Sequence, residues 1–289
     1  MTESRAAKFI PWLFVLLWAS GFIVARLVRP YAEPESFVSL RFALSAVVLF
    51  VIATIGGAHW PRTARGWING LIAGALMQGV YVGSVFWSVK NGLPPALAAL
   101  ISGLQPLLTG MLATPLLGER VGRTRWIGIA IGFAGAVLVI APNLSGTTAV
   151  PPIAVAACTF GMVGITLGTI WQKRIGGLAD LRSGASLQFV GGLLVTVPLM
   201  LATEHGHVGN NINVWAGLAW AVLGLSVVTT MLLLWLIKGG AVAKIASLFY
   251  LVPPVTALMA FVLFGEALAP IQFVGMAVAA AGVAIANRG

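Results

Sequence analysis

Few side chains in this sequence can do covalent or acid–base chemistry, and those few do not cluster. The one cysteine, Cys158, excludes an internal disulfide and any multi-cysteine metal site, and His59, His205 and His207 show neither HxxxH nor HExxH spacing. The seven acids, Glu3, Glu33, Glu35, Glu119, Asp180, Glu204 and Glu266, fall in tails, loops or the ends of apolar runs, so no carboxylate is expected at the middle of a run to carry protons. No cofactor is expected. What remains is a set of uncharged polar residues embedded in hydrophobic sequence. Ser102, Gln105 and Thr109 recur at i, i+3 and i+7, the spacing of one helical face. Gln78 with Tyr81, then Ser226 with Thr229 and Thr230, then Ser247 with Tyr250, are embedded in the same way. An amide or hydroxyl without a partner is costly in an apolar medium, so such residues face protein or a wet cavity. Ser and Thr can satisfy themselves by bonding between helices, at about 1 kcal/mol or less each. Gln78, Tyr81, Gln105 and Tyr250 have more hydrogen-bonding capacity to fill and are expected to line a cavity.

The elements that must position these residues follow from the hydrophobicity. Apolar residues make up 59% of the 289, charged residues only 8%, and the mean hydropathy is +1.00, which no soluble surface could solvate. At roughly 20 apolar residues per membrane crossing, the chain is expected to be all-α with ten transmembrane helices. They fall near 9–28, 36–55, 66–88, 94–116, 124–141, 151–174, 182–203, 213–236, 241–264 and 270–287. Of the 17 Lys and Arg, 13 lie in the tails and alternate loops on one side of this topology. The positive-inside rule therefore puts both termini in the cytoplasm, and explains the net charge of +10 without nucleic acid. Trp12, Trp60, Trp67, Trp87, Trp126 and Trp215 lie near span ends, where indoles form an interfacial belt. Trp18 and Trp220 are deeper, and Trp18 is a candidate cavity residue. Arg41, two turns into the second span, is the deepest cation, placed either to attract a carboxylate or to snorkel to the interface.

Sliding the chain along itself reveals one recurring offset: Pro106 and Pro253, Gly118 and Gly265, Glu119 and Glu266, Gly128 and Gly275, Gly135 and Gly282 are each 147 apart. Phe42 with Phe189 and Ser39 with Ser186 obey the same shift. The chain reads as a duplicated five-span unit, 1–146 and 147–289, whose odd span number inverts the second copy in the membrane. Inverted repeats are an architecture of secondary transporters, with the substrate held where the copies meet. Proline removes a backbone donor and loosens a helix, so Pro106 and Pro253 mark the fourth and ninth spans as candidate gating helices.

Trp18-Ala-Ser-Gly-Phe22, Arg41-Phe42, the stretch from Asn91 to Pro106 leading into Leu116-Leu-Gly-Glu-Arg120, and the second copy at Pro253, Phe264-Gly-Glu266, Gly275 and Gly282 resemble the EamA family of the drug/metabolite transporter superfamily. The resemblance covers nearly the whole chain, and the chain looks most like a bacterial aromatic amino acid exporter. It implies a multi-pass inner-membrane transporter working by alternating access, with a small-molecule substrate and the lipid bilayer as its partners. The site expected for that substrate comprises Trp18, Gln78, Tyr81, Ser102, Gln105, Ser226, Thr229, Ser247 and Tyr250, with spans 3, 4, 8 and 9 contributing more than 5 and 10. Glu119 and Glu266 precede spans 5 and 10, where helix capping is favoured over proton coupling, and facilitated movement is the simpler mechanism. Multidrug or quaternary-cation efflux is a rival that lacks a midplane carboxylate. An intramembrane lipid-modifying enzyme would need a His, Asp, Glu or Cys cluster that these residues do not form. The oligomeric state is left open, a monomer included.

Overall fold

The computed structural model describes residues 5–117, 122–144, 150–175, 180–232, 251–265 and 269–286, and every regular element among them is helical. In chain order these are α1 (Arg5–Val28), α2 (Pro34–Ile55), α3 (Ala64–Lys90), α4 (Pro95–Gly103 continuing as Gln105–Leu117), α5 (Arg123–Leu144), α6 (Pro152–Arg174), α7 (Leu181–Thr203), α8 (Ile212–Leu232), α9 (Val252–Phe264) and α10 (Pro270–Ala286). Seven of them, α1 to α4 and α6 to α8, are long and apolar enough to cross a membrane. The expected spans 5, 9 and 10 coincide with shorter apolar stretches, Trp126–Gly135, Val252–Phe264 and Pro270–Gly282. The protein is thus a multi-pass membrane protein, and it is helical because a helix satisfies its own backbone in a solvent that offers no hydrogen bonds.

Helix ends are set by local chemistry. Pro34, Pro95 and Pro152 open α2, α4 and α6, where a missing N–H has no cost. Thr63, Asp180 and Asn211 cap α3, α7 and α8 by accepting the N–H of Gly66, Arg182 and Asn213. Pro106 and Pro253 follow the same logic. Pro106 lies in the first turn after the break at Leu104, and Pro253 in the first turn of α9, so neither kinks a continuous helix within the described residues. The proline pair marks helix starts at equivalent places in the two halves.

Two features tie the halves together. In two extensive pairings, helices meet their own counterparts at the 147 offset: α2 runs antiparallel along α7, and α5 antiparallel along α10. Along α2 and α7, the Ser39 hydroxyl donates to Thr196 Oγ1 at 2.9 Å, the Phe42 and Phe189 rings lie 5.6 Å apart, and the Ser186 hydroxyl donates to the Ala46 carbonyl. Along α5 and α10 the contacts exchange: a side chain at Gly135 would strike the backbone of Gly275 and Ala279, and one at Gly282 would strike that of Gly128 and Gly132. Adding 147 to one set, and subtracting it from the other, interconverts them. Only glycine lets two backbones approach this closely.

The second feature is a pair of π-helical segments, Ala75–Val80 in α3 and Ala221–Val228 in α8, which the hydrophobic pattern did not foretell. They too sit one offset apart. In α8 the Ser226 and Thr229 hydroxyls donate to the carbonyls of Ala221 and Gly224, five residues back. At the loops, Ala32 pairs with Val208 in an isolated antiparallel bridge, and the His207 and His205 N–H groups hold the Glu33 carboxyl below its usual range.

Replacing Gly282 by leucine should destabilise the α5–α10 contact by about 1–3 kcal/mol, the usual cost of overpacking, while Gly122→Ala, facing open space, should be neutral. Thermal unfolding of the two variants in detergent checks this. At Asp180 the Arg182 guanidinium, hydrogen-bonded at 2.9 Å, holds the carboxyl at about 2 against an ordinary 3.8. A depressed carboxyl contributes stability above its unfolded value and loses it as pH falls through its folded one. Asp180→Asn should therefore melt below the wild type at pH 7, with the gap closing between about pH 4 and pH 2.

Candidate functional site

The expected polar residues divide into those the fold brings together and those it uses elsewhere. Trp18, Tyr81, Ser102 and Gln105 line one small central space with Ala99, Gly103, Ile165 and Val252, so that α1, α3, α4, α6 and α9 all contribute. Ser102 and the Trp18 indole lie within hydrogen-bonding reach of the Tyr81 hydroxyl oxygen, and Trp18 itself packs on Phe14 with ring centroids 5.7 Å apart. Ser102 donates to the Ala98 carbonyl at 2.8 Å, leaving its oxygen lone pairs for the space. The Gln105 amide donates to Thr109 and, across to α6, to Thr169 at 3.3 Å. The π-helical segment of α3 ends at Val80, immediately before Tyr81, and such segments turn the side chains that follow them. At ≈ 10 Å³ the space holds about one water.

The other expected residues fall outside that lining. Gln78 packs its Cβ side against Gly192 of α7, although it lies one helical turn from Tyr81. Ser226 and Thr229 are buried and spend their hydroxyls on their own helix, as Ser and Thr do in membranes. Ser247, Tyr250, Glu119 and Glu266 lie outside the described residues. Neither α5 nor α10 lines the space, nor does α8 among the described residues. Trp220 is a clasp: its indole N–H donates to the Ser20 hydroxyl of α1 at 2.8 Å.

Two ionisable groups behave differently from expectation. Arg41 is 6% exposed, its Nε has no hydrogen-bond partner, and no acid pairs with it among the described residues. It does not snorkel. Tyr81, which lines the central space, is among its neighbours. Glu35 is at a span end, as expected, yet only 4% exposed. The sequence could not separate it from a solvated loop acid, because what buries it is α3 and α7, distant in the chain.

Replacing Trp220 with phenylalanine removes the clasp and keeps the ring. Interhelical hydrogen bonds in membranes average about 0.6 kcal/mol, so a small loss of thermal stability, matched by Ser20→Ala and not additive with it, is the expected outcome of a double-mutant cycle.

The family model described as the EamA-like transporter family matches this chain twice, over residues 9–141 and 152–288. The uncharacterized inner membrane transporter YedA of Escherichia coli K12 is 23% identical over 95% of this chain and 88% of its own length. A probable terminal-alkyne amino-acid exporter of Streptantibioticus cattleyicolor is 26% identical, covering 96% of this chain and 91% of the relative. A probable amino-acid metabolite efflux pump of Salmonella typhimurium LT2 is also 26% identical, over 98% and 95%. A solved crystal structure superposes with a TM-score of 0.76 at 20% identity, covering 98% of each chain, which speaks to the fold alone.

Proposed function

The chain belongs to the EamA-like transporter family, and from that premise we propose that it exports amino acids, aromatic and other apolar ones, or similar small metabolites across a bacterial inner membrane. The observation that carries the reading is the central space, where the Trp18 and Tyr81 rings, the Ser102 hydroxyl and the Gln105 amide converge among apolar walls. Such a lining suits a zwitterion with an apolar side chain, whose ring gains about 0.5–1.5 kcal/mol by stacking on aromatic partners beyond its burial. Arg41, buried without an acid and within electrostatic reach of Tyr81, supplies the positive charge that a cargo carboxylate would meet. The amino-acid exporters among the relatives support the same class of cargo.

The working architecture is ten spans arranged as two inverted five-helix halves, 1–146 and 147–289, with both termini cytoplasmic. The exchanged glycine contacts of α5 with α10 and the antiparallel pairing of α2 with α7 support a twofold axis perpendicular to the helices. Residues of both halves line the centre, so rocking one half against the other would open the space alternately to each side. Movement is facilitated, since no acid sits at mid-span among the described residues.

Efflux of labelled phenylalanine from proteoliposomes tests the reading. Arg41→Gln should weaken transport about 10- to 100-fold, the worth of a charge-assisted hydrogen bond, and Gln105→Ala should also weaken it. Collapsing an imposed pH gradient should leave the wild-type rate unchanged. Wild-type vesicles that fail to move any of a panel of apolar amino acids would sink the proposal.

A further inference from the structure

A larger cavity lies away from the central space and shares no lining residue with it. It measures ≈ 190 Å³ and is bounded by the first turn of α2, by α3, by α6 and by α7. A cavity of about 150 Å³ admits benzene, so this one has room for a small ring. Its walls are mainly apolar, with Trp87 and Phe160 contributing aromatic surface and Val195 and Leu199 aliphatic surface. Phe160 is 64% exposed and Leu199 45% exposed, so the mouth opens sideways, where the bilayer would be.

One acidic side chain faces this apolar space. Glu35 is 4% exposed and its Oε2 has no hydrogen-bond partner. Both its oxygens would lie within 3.2 Å of a Cβ at Gly83, so the glycine leaves the carboxylate its room. The start of α2, which would ordinarily satisfy such an acid, is already taken: Glu204 accepts the N–H groups of Glu35 and Ser36 at 2.9 and 2.8 Å, and the Ser36 hydroxyl at 2.7 Å. Glu204 thus adds a second negative charge beside Glu35, and no basic side chain pairs with either among the described residues.

We propose that this cavity is a second binding site, for a primary ammonium group carried on a small apolar body, with Glu35 as its counter-ion. An ammonium has three donors to place, and Glu35, Ser84 and Thr203, each with a side-chain oxygen able to accept, are among the residues that line the cavity. The aromatic surfaces of Trp87 and Phe160 favour a cation further. A metal ion fits poorly, because calcium and magnesium need six or more oxygen ligands and the described residues hold no group of three His, Cys, Asp or Glu side chains. The sideways mouth admits two sources of this chemistry, a free arylalkylamine and the ethanolamine headgroup of a phospholipid.

The test is equilibrium binding of radiolabelled 2-phenylethylamine at pH 7 to the purified protein in phosphatidylcholine nanodiscs. Saturable binding is expected, with 2-phenylethanol, the neutral isostere, failing to compete. Glu35→Gln should weaken binding at least tenfold. Ala157→Leu, which fills the cavity without touching the carboxylate, should weaken it similarly, and carries the test alone if Glu35→Gln does not fold. Adding phosphatidylethanolamine to the nanodiscs should raise the apparent Kd if the headgroup is an occupant, and leave it unchanged if free amines alone enter. Equal competition by the alcohol, wild-type affinity in a folded variant, or no saturable binding would overturn the proposal. None of these outcomes depends on whether phenylalanine is the transported cargo, so the two readings can fail separately.

Discussion

A hydrocarbon solvent offers no hydrogen bonds, and every other feature of this protein answers to that constraint. The backbone closes on itself as helices. With lipid as apolar as leucine, burial of hydrophobic surface cannot hold those helices together, so close backbone approach and polar contacts must. The α5–α10 pair, joined through Gly128, Gly132, Gly135, Gly275 and Gly282, is the first solution. The α2–α7 pair, with Ser39 on Thr196 and Ser186 on the Ala46 carbonyl, is the second. Both pairings join equivalent helices of the two halves. A duplicated chain can use one self-complementary surface twice, and contacts that exchange under the 147 offset are what that economy leaves behind.

The same constraint sorts the polar residues by function. Ser226, Thr229 and Thr166 return their hydroxyls to their own helix and leave nothing for a ligand. Larger groups cannot be silenced so locally. Gln105 reaches across to α6, Tyr81 lies beside Ser102 and Trp18, and the result is a small polar centre between helices of both halves. The π-helical segments belong to this economy, since they break the regular ladder at equivalent places and change which face the following residues present.

Charge is treated most sparingly. Asp180 with Arg182, and Glu204 with the start of α2, place ionic contacts at the ends of the α2–α7 pair, where water is near. Arg182 also donates to the Gly56 carbonyl at the far end of α2, so each end of that helix is finished by a charged residue from α7 or its flank. Against this background Arg41 and Glu35 stand out, each buried on α2 with an atom that the protein leaves without a partner. Removing a charge from water without a protein partner is expensive, and both lie on the helix that links the two halves.

The sequence by itself determined the class of the protein and much of its plan. Hydropathy and span length required a helical membrane protein, the 147 offset announced the duplication, and the depth of Trp18, Tyr81, Ser102 and Gln105 in apolar runs marked the residues that meet at the centre. These are properties of residues relative to lipid, and lipid is the same for every span. Tertiary structure alone decided which polar side chains were left over for a ligand. Gln78 and Tyr81 share a span and a chemistry, yet only Tyr81 reaches the centre among the described residues, because Gly192 of α7 draws Gln78 into a helix contact. Pro106 and Pro253, read as loosening their helices, lie in the first turn after the break at Leu104 and in the first turn of α9. Glu35 read as an acid at a span end and lies buried, because α3 and α7, far along the chain, close over the first turn of α2. Periodicity reports which face of a helix is polar, whereas partners drawn from distant helices decide whether that polarity is already satisfied.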